Sequence, residues 1–192
     1  EYVPHDTDKA IKYLTLAANK NNSDAYYELG MIYYFEKNDI IQTINYLTEA
    51  ARIYNSKAEI MLGIIYINGD YAIRNVDKGI YYLTLAANRN NSQAQSYLGY
   101  IYNNNQYTKR NFNKAMYYFT LSSNQNDPLA LFQLGMIYLL GKDIKRNINK
   151  AICYLTNSAN QNESFAQYVL GYLYINGEYV SKDTKKGIYY LT

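Results

Sequence analysis

Few residues in this chain are of types that do chemistry. There is one histidine, His5, in a polar stretch near the start, and one cysteine, Cys153. A Ser–His–acid site needs an imidazole held among its partners, and a terminal loop histidine is not so held. A lone cysteine excludes an internal disulfide and a zinc site built on Cys pairs. No basic cluster adjoins Cys153, so a packed or partly exposed thiol beside Tyr154, on the outer side of a helix, is expected rather than a reactive one. No His, Cys or paired-carboxylate spacing suits a metal, and the glycines fall singly rather than in a phosphate-cradling loop. The sequence therefore reads as non-catalytic, with no cofactor and no metal site.

Two weaker patterns remain. Arg74, Lys109 with Arg110, Lys145 with Arg146, and Lys182 recur along the chain, followed by Lys78, Lys114, Lys150 and Lys186. Stacked repeats would align them as one basic edge. A net charge of +3 is too small to argue for nucleic acid. The edge is read as solvated, the sharper alternative being an acidic partner or a nucleic-acid backbone. Asn21, Asn90 and Asn162 each open an Asn-x-Ser glycosylation sequon. In a chain with 24 asparagines, roughly two to three arise by accident. The 26 tyrosines and the asparagines are both spelled by A/T-rich codons, and their abundance is read as drift in an A/T-rich genome. No run approaches the ~18 apolar residues of a membrane span. Nothing at the start resembles a signal peptide. The compartment is left unknown, with the cytoplasm favoured and the endoplasmic-reticulum lumen open for a parent protein.

The elements that must position any surface are set by an internal repeat. Leu29-Gly30, Leu62-Gly63, Leu98-Gly99, Leu134-Gly135 and Leu170-Gly171 are spaced by 33 and then 36 residues. Ala25, Ala58, Ala94, Ala130 and Ala166 stand five residues before each glycine, and Tyr33, Tyr66, Tyr102, Tyr138 and Tyr174 three after it. These steps lie on one face of a helix, helix A. A helix-interior glycine costs about 1 kcal/mol against alanine, so another backbone is expected to approach there. A second helix, B, follows as Ile11-x-Tyr13-Leu14-x-x-Ala17-Ala18 and returns at Ile44, Ile80, Met116 and Ile152. Asp6, Asp39, Asn75, Asn111, Asn147 and Asp183 are placed to cap helix B, and Asn22, Asn55, Asn91 and Asp127 to cap helix A, with Pro128 in a first turn. Gly69, Asn105, Gly141 and Gly177 are the expected left-handed ends of helix A. The shorter first repeat has Glu36 there, and its turn must differ.

Neither helix can bury its apolar face alone, but stacked pairs can. The chain reads as one all-α solenoid, with repeats at 1–20 (partial), 21–54, 55–90, 91–126, 127–162 and 163–192. Glu1-Tyr2-Val3 matches Glu178-Tyr179-Val180, and Lys186 to Thr192 repeats Lys78 to Thr84. The chain is thus expected to begin inside one repeat, stop inside another, and be a piece of a longer array.

The segments AYYELGMIYY, AEIMLGIIYINGDY, ALFQLGMIYLLGKD and FAQYVLGYLYINGEY, each leading to text like DKGIYYLTLAAN, resemble Sel1-like repeats, 36-residue relatives of the tetratricopeptide repeat. The resemblance covers the whole chain. It implies a right-handed α/α superhelical solenoid of about five repeats and a role as a protein-interaction scaffold or adaptor. It also implies a concave groove lined by helix A residues at −3, +1 and +4 from the glycine. Those are Tyr27, Met31 and Tyr34; Ile60, Ile64 and Ile67; Ser96, Tyr100 and Asn103; Phe132, Met136 and Leu139; and Tyr168, Tyr172 and Ile175. All but Ser96 and Asn103 are apolar or aromatic, and a partner peptide or helix would fit such a stripe. The alternatives are a self-associating structural array and a regulatory repeat region of a larger protein, for example one linked to a kinase or a ubiquitin ligase.

Overall fold

A computed structural model describes residues 6–69 and 74–192. Among them there are eleven α-helices and no strand: α1 Thr7–Ala18, α2 Ser23–Phe35, α3 Ile40–Arg52, α4 Ser56–Asn68, α5 Val76–Asn88, α6 Ser92–Asn103, α7 Phe112–Ser123, α8 Pro128–Leu140, α9 Ile148–Ala159, α10 Ser164–Asn176 and α11 Thr184–Leu191. Even-numbered helices are helix A of a repeat and odd-numbered ones helix B. The chain divides into two compact units, residues 1–94 and 95–192, with the boundary in the first turn of α6. In the first unit each helix packs on the next from α1 to α5, and in the second α7 to α11 do the same.

Cap chemistry starts the helices where the sequence places it. The side-chain oxygens of Asp6, Asp39, Asn75, Asn111, Asn147 and Asp183 each accept from the backbone N–H three residues on. Asn22, Asn55, Asn91 and Asp127 do so for helix A. In the last repeat Glu163 takes this place, accepting from Ala166 N–H at 2.6 Å. Its extra methylene makes it an unusual cap, which is why the sequence did not announce it.

The turns between repeats share one device. Asn21, Asn90, Asn126 and Asn162 have φ near +60°, and Tyr54 adopts φ +68° at the same place. The residue after each then donates its N–H back into helix B, as Asn91 does to Ala86 O at 3.2 Å, before capping helix A. Asparagine tolerates this left-handed conformation better than most residues. The Asn-Asn-Ser sequons at Asn21 and Asn90 are therefore a turn residue, a cap and a first helical residue in order.

Helix A ends in left-handed Gly69, Gly141 and Gly177. Asn105 does not join them, since it is not among the residues of positive φ. Its side-chain oxygen instead accepts from Arg110 N–H at 3.0 Å, bracing the loop from within. In the shorter first repeat Glu36 stays right-handed and Asn38 supplies the positive φ.

The core consists of one large helix B residue per repeat seated over the helix A glycine. Leu47, Leu83, Phe119 and Leu155 have no exposure. A Cβ on Gly99 would lie 2.5 Å from the Phe119 ring, and one on Gly63 2.6 Å from Leu83 Cγ. The space a glycine leaves is thus filled mainly by a side chain, with backbone slightly farther: Gly79 O would be 3.2 Å from the Gly63 Cβ.

Candidate protein-interaction surface

The three groove positions of each repeat have different fates. The +1 residues face outward: Tyr100 and Tyr172 are exposed and Met31, Ile64 and Met136 half-buried. The −3 residues divide. Tyr168 is exposed, Tyr27 and Phe132 half-buried, and Ile60 and Ser96 buried. Tyr27 packs on the core of its unit, which raises its hydroxyl pKa through burial, with the nearby Glu28 charge adding to it.

The +4 residues belong to the helix pair rather than to a groove. Ile67 and Leu139 are buried. A Cβ on Gly79 would meet Ile67 Cγ1 at 2.5 Å, and one on Gly187 would meet Ile175 Cγ1 at the same distance. The +4 side chain therefore lies against the first turn of helix B in these repeats. Asn103 is engaged as well, since Arg110 donates to its side-chain oxygen at 3.0 Å and binds Asp143 in a two-pronged ion pair at 2.6 and 2.7 Å. Tyr34 is half-buried and meets the Phe35 ring edge-on.

In the second unit the outward residues converge on an apolar cleft of about 260 Å³. Tyr97 and Tyr100 of α6, Leu129, Phe132 and Gln133 of α8, and Phe165 of α10 form its walls, with Ser96 and Phe119 at its base. The Phe132 and Phe165 rings are 6.0 Å apart. Leu129 and Phe165 stand six residues before their glycines and Tyr97 two before, positions the sequence reading did not use. The signal was there: Leu129, Phe132 and Met136, and likewise Phe165, Tyr168 and Tyr172, step along one helix face. None of α6, α8 and α10 contains an Asp, Glu, Lys or Arg.

The basic series has an internal use. Lys78, Lys114, Lys150 and Lys186 lie over the rings of Tyr66, Tyr102, Tyr138 and Tyr174 at 4.2–5.1 Å from the centroids. Those rings stack in turn on Tyr82, Tyr118, Tyr154 and Tyr190 at 5.8–6.1 Å. Lys78 and Lys186 also donate to the tyrosine hydroxyls, at 2.7 and 2.9 Å, which raises both lysine pKa values. The tyrosines that read as codon drift thus form a stacked pair in each of these repeats. Cys153 is exposed, and His5 lies outside the described residues. No group of three or more His, Cys, Asp or Glu that could hold a metal occurs among the described residues, and none of their helices is long and apolar enough to cross a membrane.

Paired helices repeating about every 36 residues, with an outward apolar face and no acid–base constellation on it, define an α/α repeat solenoid. The Sel1 repeat model matches residues 1–22, 23–53, 56–91, 92–127, 128–163 and 164–192. The chain belongs to the Sel1 repeat family, whose members typically mediate protein–protein interactions.

Solved structures share the fold. The chain is 24% identical to c5321, a protective antigen of uropathogenic Escherichia coli, with a TM-score of 0.82 over 94% of this chain and 39% of that one. It is 23% identical to a Sel1 repeat protein from Oxalobacter formigenes, with a TM-score of 0.78 over 88% of this chain and 71% of that one. Immunity protein Pa5087 from Pseudomonas aeruginosa is 19% identical, with a TM-score of 0.65 over 94% and 70% of the two chains. The chain thus spans well under half of the E. coli protein. No curated protein matches it in sequence.

Proposed function

We propose that the chain is a non-catalytic adaptor that binds a partner segment on the outward face of its A helices, centred on Tyr100, Phe132, Tyr168 and Tyr172. The observation that carries this reading is the chemistry of α6, α8 and α10. Three helices without one charged residue nonetheless expose Tyr100, Leu129, Phe165, Tyr168 and Tyr172 to water. A face that met only solvent has no reason to exclude charge while presenting aromatic rings, and such patches mark interaction sites. Tyrosine makes large contacts at low entropic cost and methionine makes adaptable ones, which suits recognition.

A photo-crosslinking residue placed at Tyr100 or Tyr172, and as a control at Tyr117, tests it in cells of the source organism. Tyr117 is more exposed than either but stands on helix B. The expected result is a discrete crosslinked protein from the first two positions and not from the third. Identical patterns from all three, or none, would sink the reading. Crosslinks only between copies of the chain would favour a self-associating array.

A further inference from the structure

We propose that the cleft between α6, α8 and α10 receives an uncharged, proline-rich peptide in the polyproline II conformation. This rests on the groove reading above and names its ligand class. Four observations lead to it.

The first is size. The cleft holds about 260 Å³, so a partner meets it with a short run of side chains.

The second is the lining. Tyr97, Tyr100, Phe132 and Phe165 make it an aromatic slot rather than an aliphatic trough, and aromatic-lined grooves are the usual receptors for polyproline II segments. The third is the supply of donors. A polyproline II chain has no internal hydrogen bonds, so its carbonyls need partners. Gln133, Tyr97 and Tyr100 line the slot, and no hydrogen bond from these side chains occurs among the described residues.

The fourth is charge. With no ionised side chain on α6, α8 or α10, only the flanking caps Asp127 and Glu163 bring charge near the slot, and burying a partner's charge against its apolar walls would be costly.

The experiment is selection from a displayed library of random dodecapeptides on the whole chain. The counter-screen uses Tyr100→Ser/Phe165→Ser, two exposed positions whose change leaves the core intact. The expected winners are uncharged peptides with prolines three residues apart. They bind at least tenfold more weakly to the variant, and with little change between 50 and 500 mM salt. Winners that are charged amphipathic helices and are still lost in the variant would overturn the polyproline assignment while leaving the groove in place. Winners indifferent to the variant would overturn both.

Discussion

Arg89 reaches back thirty residues to Glu59 and donates to its carboxylate at 2.5 Å, although the Glu59 side chain has no exposure at all. One Glu59 oxygen is left without a partner, and burial pushes the carboxyl pKa up against the opposing pull of Arg89. In the next repeat the same two positions hold Gln95 and Gln125, joined by a neutral hydrogen bond of 2.8 Å. Removing one partner of a buried pair strands the other, so Arg89→Ala should cost about 3–5 kcal/mol. Glu59→Gln/Arg89→Gln, which copies the following repeat, should return to within about 1 kcal/mol of the parent. Denaturant unfolding of Arg89→Ala and of the four proteins of the cycle (parent, Glu59→Gln, Arg89→Gln and the double variant) measures both. Full additivity of the single variants would show that the pair does not act as a unit.

Tyr54 holds a left-handed backbone where four other turns use asparagine. A non-glycine residue other than Asn or Asp pays about 1–2 kcal/mol there. The Arg89 guanidinium over the Tyr54 ring, 4.9 Å from its centroid, offsets part of that by about 0.5–1 kcal/mol. Tyr54→Asn should therefore gain about 0.5 kcal/mol, and Asn90→Ala should lose about 1 kcal/mol. Melting curves of the two variants check the opposite signs.

The Ile67 side chain occupies the place where a Cβ on Gly79 would go. Where helix B carries Ala115 or Ala151 instead of glycine, the corresponding helix A residue is Asn103 or Leu139, neither of them β-branched. Gly79→Ala should cost about 1–3 kcal/mol by overpacking. Ile67→Leu, which moves the branch one carbon outward, should recover part of that, since the 2.9 Å approach of the new Cβ to Gly63 O remains. Chemical denaturation of both single variants and the double variant decides it. A harmless Gly79→Ala would refute the packing argument.

Asp127 caps α8 from a half-buried position, and desolvation raises its pKa despite opposing hydrogen bonds from backbone N–H groups, Ser96 and Ser122. A raised pKa means that the fold binds this proton more tightly than the unfolded chain. Its contribution is therefore present in full below the ordinary carboxylate range of about 3.9 and lost as pH rises through the raised value. Asp127→Asn keeps the cap, as Asn22, Asn55 and Asn91 show. At pH 7 it should melt slightly higher than the parent, by a small amount because solvent screens a half-exposed group. The gain should shrink toward pH 3, and a difference constant with pH would refute it.

The parts of this fold legible in the sequence are those whose chemistry is local. An Asn75 or Asp183 cap acts on an N–H three residues away, so its type and position suffice. The same holds for Gly69, Gly141 and Gly177. Asn105 misled because asparagine has two ways to finish a helix, and the side-chain route to Arg110 N–H prevailed. Asn21, Asn90 and Asn162 read as accidental sequons because the turn that needs them is defined by a hydrogen bond back into the preceding helix. The surface was harder to read, since it depends on how far helix B wraps its partner. Ile67 and Leu139 were expected in a groove, but the first turn of helix B covers that side of helix A. Leu129 and Phe165 were passed over for the converse reason, lying a turn beyond the positions considered.

The stacked tyrosine pairs also give the molecule a built-in optical record. The chain has no tryptophan, so nothing masks tyrosine emission or near-ultraviolet dichroism. Tyr66–Tyr82, Tyr102–Tyr118, Tyr138–Tyr154 and Tyr174–Tyr190 each bridge the two helices of one repeat. Rings fixed this way lose their asymmetric environment when that helix pair parts. A repeat that frays before its neighbours would then appear as a fractional, stepwise loss of signal. Replacing one pair at a time by phenylalanine would show which part of the chain lets go first.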